Sequence, residues 1–126
     1  MEAYGALVLR VTLGAVFLAH AYAQLYLIGP HQMARYFVQA GLPFPLLGAW
    51  YVILAHGIGG LFLLLGVLAR WAALANIPVM AGAVFAVHWK QGFFMDADGG
   101  WELAFVVLMA TIAQALLGPG AFTLKR

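Results

Sequence analysis

Four side chains that can exchange a proton sit within or at the ends of strongly apolar stretches: His20, His56, His88 and Glu102. An ionisable group in hydrocarbon is costly unless paired or wet, so each marks a candidate site. Arg10 and Gln24 share the first stretch with His20, while Asn76, Thr111 and Gln114 are neutral polar groups in the others. At about 100° per residue, Arg10, His20 and Gln24 fall within about 80° of one another on a helix, with Gly14 and Ala21 on the same face. That small, polar stripe is expected to face a bundle interior rather than lipid. A rise of about 1.5 Å per residue places His20 and His56 at similar depth, roughly 12–15 Å below one surface, with His88 and Glu102 at that surface. Taken singly, each histidine reads as a helix-joining hydrogen-bonding group worth about 0.6 kcal/mol. Taken together, three imidazoles and a carboxylate in one half of a bundle read as a site.

The chemistry of such a set remains open among three ligands. A quinone head group needs hydrogen-bonding partners, a proton carrier and apolar walls. His20, His56, His88 and Glu102 supply the first two, and Trp89, Phe93 and Trp101 the walls, with Arg10, Gln24 and Trp101 in a second layer. His20 and His56 at equal depth can also ligate a b-type haem, and a His/Glu set can hold a transition metal. Neither has a spacing signature here, so quinone stands ahead of both, and no metal-ligating set or catalytic residue is assigned. Trp71, Trp89 and Trp101 at span ends read as interfacial belt residues. Asp96-Ala97-Asp98-Gly99 begins like a calcium loop but lacks the third acidic position and the closing glutamate, so a solvated turn is expected. No nucleophile elbow, phosphate loop, His-Glu-x-x-His or nucleotide fingerprint occurs.

These residues need elements to position them, and composition names the solvent of those elements. Of 126 residues, 66% are hydrophobic and 8% charged, against roughly 45–50% and about 25% in soluble domains. Mean hydropathy is +0.99. A soluble domain of this size has too much surface to hide that apolar content. An ordinary cytosolic enzyme, a disordered chain and a nucleic-acid module are therefore excluded. The net charge of +2 is scattered rather than gathered on one face. With no cysteine in the chain, disulfides, Cys-ligated zinc and iron–sulfur clusters are excluded as well.

The expected fold is all-α: a polytopic membrane four-helix bundle forming a single domain over residues 1–126. Its spans run from about 4 to 28, 46 to 69, 71 to 89 and 101 to 117, the last being the shortest. Ala21-Tyr22-Ala23 resembles a cleavage site. Glu2 replaces a basic leader and the apolar run continues to Ile28, so a retained helix is expected. Gly29-Pro30 stops that helix. Met33, Tyr36, Phe37 and Ala40 then recur with helical spacing, predicting a short amphipathic helix in the interface plane. A tight hairpin is expected at Ala69-Arg70-Trp71 and a kink at Pro78. Arg70, Lys125 and Arg126, with Arg10 snorkelling toward them, outnumber Arg35 and Lys90 on the other side. This places both termini in the cytoplasm of a bacterial or archaeal cell, across its cytoplasmic (inner) membrane. Ala55-Gly59 and His56-Gly60 permit close helix contact.

Nearly the whole chain resembles the DoxX family of small four-helix inner-membrane proteins. The resemblance rests on Leu9-Arg10-Val11, Leu13-Gly14, Phe17-Leu18-Ala19-His20, Gly41-Leu42-Pro43, Gly59-Gly60-Leu61, Leu65-Gly66 with Arg70, Val87-His88, Gly92-Phe93-Phe94, Gly99-Gly100-Trp101-Glu102 and Gly118-Pro119-Gly120, in this order and spacing. Members commonly carry a glutamate where this chain has His56 and often a lysine where it has Gln24. The resemblance implies a membrane component of a redox system. One relative is a subunit of thiosulfate:quinone oxidoreductase, and others associate with superoxide dismutase and sulfurtransferase partners. The expected role is a membrane subunit or anchor of a redox complex, accessory rather than catalytic, with a quinone-type pocket in the outer half. Its partners would be the lipid bilayer and other protein subunits, with no nucleic acid. The alternatives are a purely structural subunit or assembly factor, and a solute or proton pathway that would require a homo-oligomer.

Overall fold

A computed structural model describes residues 1–97 and 99–126; Asp98, and with it the calcium-loop reading, lies outside the described residues. The chain is helical throughout its apolar stretches. Helix α1 covers Glu2–Tyr22 and continues as a π-helical turn over Ala23–Ile28; α2 covers Pro30–Gln39 and α3 Pro45–Leu65. Helix α4 covers Ala69–Gly82, widens to a π turn over Ala83–His88 and closes with a 3₁₀ turn at Trp89–Gln91; α5 covers Glu102–Leu117. Three of these units are long and apolar enough to cross a membrane: Glu2–Ile28, Pro45–Leu65 and Ala69–Gln91. Helix α5 is apolar but shorter, at 16 residues, or about 24 Å of helix.

Neighbours in sequence are neighbours in space. Helix α1 packs along α3, α3 against α4 and α4 against α5, and α5 closes the ring against α1. The α1/α3 seam is the tightest because two glycines meet in it. A Cβ on Gly14 would lie 2.8 Å from the Gly60 carbonyl oxygen, and one on Gly60 would lie 3.0 Å from the Gly14 carbonyl. The core between the helices is built from Leu13, Phe17, Leu63, Ala72, Met80, Val84 and Leu108. Around it, large apolar side chains such as Val8, Ile58, Phe85 and Leu116 are exposed on the outer surface. This is the arrangement of a multi-pass membrane protein whose outer face meets lipid.

The α3–α4 hairpin lies earlier than the sequence suggests. Helix α3 stops at Leu65 because Gly66 adopts φ +72°, a left-handed stop that glycine takes without a Cβ penalty. Leu68, at φ +45°, then opens α4 at Ala69, so Ala69-Arg70-Trp71 is the first helical turn rather than the bend. Pro78 is accommodated inside α4, and the π turn follows five residues later. Helix α2 forms as expected from its periodicity. Met33 is buried against Ala49 and Ile53 of α3, with Phe37 packed beside them, whereas Tyr36 stays exposed.

Arg10 lies in the interior, as its stripe predicts, and reaches toward the Arg70/Lys125/Arg126 end; it is 1% exposed because the chain covers it there. There its Nη1 donates to the Leu63 carbonyl (3.1 Å), and its Nη2 donates to the carbonyls of Ala121 (2.8 Å) and Phe122 (3.1 Å). The reason is the tail beyond α5, which crosses this end and pairs with the hairpin. Leu68 N–H donates to Lys125 O at 2.8 Å, Lys125 N–H to Gly66 O at 3.0 Å, and Ala121 N–H to Ala3 O at 3.0 Å. These bonds bring carbonyls within reach of the guanidinium, and charge-assisted bonds to carbonyls replace water. Both termini therefore sit at one end of the bundle, with α2 and the 90–101 loop at the other.

Candidate functional site

The interior of α1 is set by Ala6, Arg10, Leu13, Gly14, Phe17 and Ala21, all buried. His20 lies about 80° around the helix from Arg10 and falls at the rim of that face, while Phe17 and Ala21 take the interior. His20 is accordingly exposed on the protein surface rather than enclosed. On α3 the inward positions include Ala55, His56, Gly59, Gly60 and Leu63. Close approach at Gly14/Gly60 carries up the seam, where a Cβ on Gly57 would be 3.5 Å from Ala21 Cβ. The two histidines therefore meet edge to face, ring centroids 6.2 Å apart, with an interplanar angle of 69°. Phe17 lies flat on the His56 ring at 4.7 Å and 8°.

Hydrogen bonding fixes the chemistry of both rings. His20 Nδ1 is 2.9 Å from the Val16 carbonyl, which can only accept, so Nδ1 carries the proton. His56 Nδ1 is 2.7 Å from Asn76 Oδ1. The orientation of that amide is settled by its nitrogen, which donates to the carbonyls of Ala55 (2.8 Å) and Ala72 (2.9 Å). His56 therefore also donates through Nδ1. Among the described residues no hydrogen bond occupies Nε2 of either ring. One helical turn beyond His20, Gln24 Oε1 is buried and without a partner. Of these three groups only His20 is exposed; His56 is 3% exposed and Gln24 Oε1 is buried.

His88 and Glu102 are used differently. His88 Nδ1 donates to Gln91 Oε1 at 2.8 Å, and the same oxygen accepts Gly100 N–H at 3.0 Å. Glu102 Oε1 accepts Met95 N–H at 2.8 Å. Both side chains stitch the 90–101 loop onto the α4 and α5 ends, beside Trp89 stacked on Trp101 at 5.0 Å. Phe93 and Phe105 meet Trp101 edge-on at 4.8 and 5.7 Å. Among the described residues neither a hydrogen bond nor a ring contact joins His88 or Glu102 to His20 or His56. Of the residues placed in a second layer, Gln24 is near His20, Trp101 belongs to the loop cluster, and Arg10 works at the opposite end.

Two grooves, of about 320 and 310 Å³, lie at the tail end and along the α3/α4 face, and neither is lined by any of the four proton-exchanging residues. Asn76, fully buried, is the site residue that sequence reasoning passed over. A signal existed: His56 is ten residues before the Gly66 stop and Asn76 eight after Leu68, so the hairpin returns them to one depth. A Cβ on Gly59 would lie 2.7 Å from Asn76 Nδ2, so the glycine makes room for the amide.

The DoxX family model matches residues 5–89, which is more than half of the chain and includes Arg10, His20, Gln24, His56, Asn76 and His88. The chain belongs to the DoxX family. The matched region contains the whole α1/α3 seam, and ends before Trp101 and Glu102. The DoxX resemblance of Gly99-Gly100-Trp101-Glu102 and of Gly118-Pro119-Gly120 thus lies beyond the matched residues. No curated protein and no solved structure matches the chain.

Proposed function

We propose that this DoxX protein is a membrane subunit of a redox complex and that the His20/His56 edge of the α1/α3 seam is where the head group of a hydroquinone docks. The observation that supports this reading is that each ring donates through Nδ1 while, among the described residues, no hydrogen bond is made at Nε2, which in a neutral ring is an acceptor. His20 is exposed at the rim, with His56 (3% exposed) buried behind it; an acceptor at the rim suits a hydroxyl donor, which the reduced, hydroquinone form of a quinone provides and the oxidised form lacks. Gln24 Oε1, buried and unpartnered, adds a third acceptor within one turn of His20. On oxidation a hydroquinone releases two electrons and two protons. A redox group on a partner subunit takes the electrons, the exposed His20 takes one proton through Nε2, and the other proton goes to water. This chain then contributes binding and proton acceptance rather than the electron acceptor. Haem between His20 and His56 is disfavoured because α1 and α3 approach so closely that a Cβ added at Gly57 would already touch Ala21 Cβ, which leaves no slot for a macrocycle.

In this reading all four long apolar helices cross the cytoplasmic membrane. Both termini and the Arg10–tail end are on the cytoplasmic side, and the docking rim is in the outer half. The closing loop held by His88 and Glu102 supports the rim from outside. Titration of the detergent-purified chain with a short-chain hydroquinone tests it: binding is expected for the native protein, with at least about a tenfold loss in His20→Ala. Equal binding by native protein and His20→Ala would remove the assignment. A purely structural subunit is favoured by one observation, the Asn76 bonds that tie α3 to α4; it predicts that no histidine substitution changes hydroquinone binding.

A further inference from the structure

The two grooves adjoin at Leu68 and Trp71, which line both, so a polar head abuts an apolar stem. The head sits over the first turn of α4, between Arg70, Trp71, Leu117, Pro119 and Arg126, and no acidic side chain lines it. Arg70 is held there by its Nε, which donates to the Ala115 carbonyl at 2.8 Å. Among the described residues its Nη groups make no hydrogen bond, so the guanidinium that lines the groove keeps both of them as available donors. Arg126 is tethered by one bond, Nη2 to Gly120 O at 3.1 Å. The stem runs up the outer face of α3 and α4, with Ala72 and Ala75 as floor and Tyr51, Ile58 and Phe62 as walls. From Tyr51 to Phe62 it extends about 16 Å along the helix, close to the ~15 Å depth of one leaflet's hydrocarbon. Trp71, 68% exposed, stands where head and stem join, the level at which interfacial tryptophan sits.

We propose that this head and stem together bind one anionic phospholipid, its phosphate at Arg70 and Arg126 and one acyl chain along the α3/α4 stem. The charge calls for an anion, and the arginine fork suits phosphate oxygens. The apolar stem of one-leaflet length calls for a chain attached to that anion, which a free phosphate lacks. A packed helix from a partner would fill the stem but leave the guanidinium donors unanswered. The assignment does not depend on the hydroquinone reading, since none of its residues belongs to the His20/His56 rim.

The test is native mass spectrometry of the full chain in mild non-ionic detergent, titrated with dioleoyl phosphatidylglycerol or dioleoyl phosphatidylcholine. Two arginines facing the head group predict roughly a 30-fold preference for the anionic lipid. Arg126→Gln should lower that preference about fivefold. Ala75→Leu, which fills the stem without touching a charge, should weaken both lipids. Both variants leave the Arg70–Ala115 bond in place, and a circular dichroism spectrum matching the native one confirms their fold. Equal occupancy by the two lipids would overturn the proposal. So would displacement of the lipid by inorganic phosphate with Ala75→Leu unaffected, which would assign the head to a free anion. An Ala75→Leu effect confined to dissociating a dimer would overturn it as well and assign the stem to a second copy of the chain.

Discussion

Arg10 and His20 stand ten residues apart on one helix, and the fold treats them in opposite ways. Arg10 is enclosed, and three backbone carbonyls from two other segments answer its Nη groups. His20 is exposed and uses only its own helix, through Val16, to fix its ring. At the Arg10 end the tail, the α3–α4 hairpin and the start of α1 are bonded into one unit, although Arg10 Nε and Gln114 Oε1 are buried there without a partner. At the His20 end the α1 π turn, the α2 packing and the His56–Asn76 pair leave ring nitrogens and an amide oxygen unanswered. A charge whose partners all lie within the protein contributes to the fold. In the proposed reading, the His20 ring, held through Nδ1 and open at Nε2, receives a group that arrives from outside.

Variants that invert either end sharpen this contrast. Arg10→Leu is expected to have the largest effect: three carbonyls lose a charged donor, each at about 1–3 kcal/mol when left buried. A loss of at least ~3 kcal/mol should appear in SDS-induced unfolding from mixed micelles, together with release of the tail to carboxypeptidase. A tail that stays protected would show that Arg10 does not clasp it. Gly14→Val comes next, because its side chain meets the Gly60 carbonyl and Leu64 backbone. Overpacking of about 1–3 kcal/mol is expected in the same unfolding assay. Asn76→Leu strands the His56 Nδ1–H and removes a second donor from the helical carbonyls of Ala55 and Ala72, for about 1–3 kcal/mol. Unlike Gly14→Val, it should change the His56 tautomer as seen by nitrogen NMR. The smallest effect is expected for Glu102→Gln, whose amide oxygen still accepts the Met95 N–H. Its unfolding midpoint should shift by less than about 1 kcal/mol and hydroquinone binding should be unchanged; a binding defect there would move the site to the loop.

Much of the architecture could be read directly from the sequence because hydrocarbon leaves helices few alternatives. The long apolar runs, Gly29-Pro30 and the spacing of Met33 and Phe37 correspond to elements with boundaries close to those observed. The α3–α4 bend was misplaced because helical hydropathy continues through Gly66-Val67-Leu68, and only a left-handed glycine stops it. The partners of Arg10 were illegible for a different reason. They are backbone carbonyls more than 50 residues away, and carbonyls carry no sequence signature. Depth arithmetic did place His20 beside His56, since both are counted from helix ends on adjacent spans. The same arithmetic could not reveal that Gln91, three residues after His88, draws that histidine into the loop.

The central claim is that His20 and His56 are both neutral, protonated at Nδ1, with Nε2 of His20 open to a hydroxyl donor. Nitrogen-15 NMR of histidine-labelled protein in lipid nanodiscs, with and without a saturating short-chain hydroquinone, reads this directly. Both rings are predicted to show a protonated Nδ1 and an unprotonated Nε2, and addition of the hydroquinone should shift the Nε2 resonance of His20 and leave that of His88 in place. Rings protonated at Nε2, or a His20 spectrum indifferent to the hydroquinone, would contradict the account.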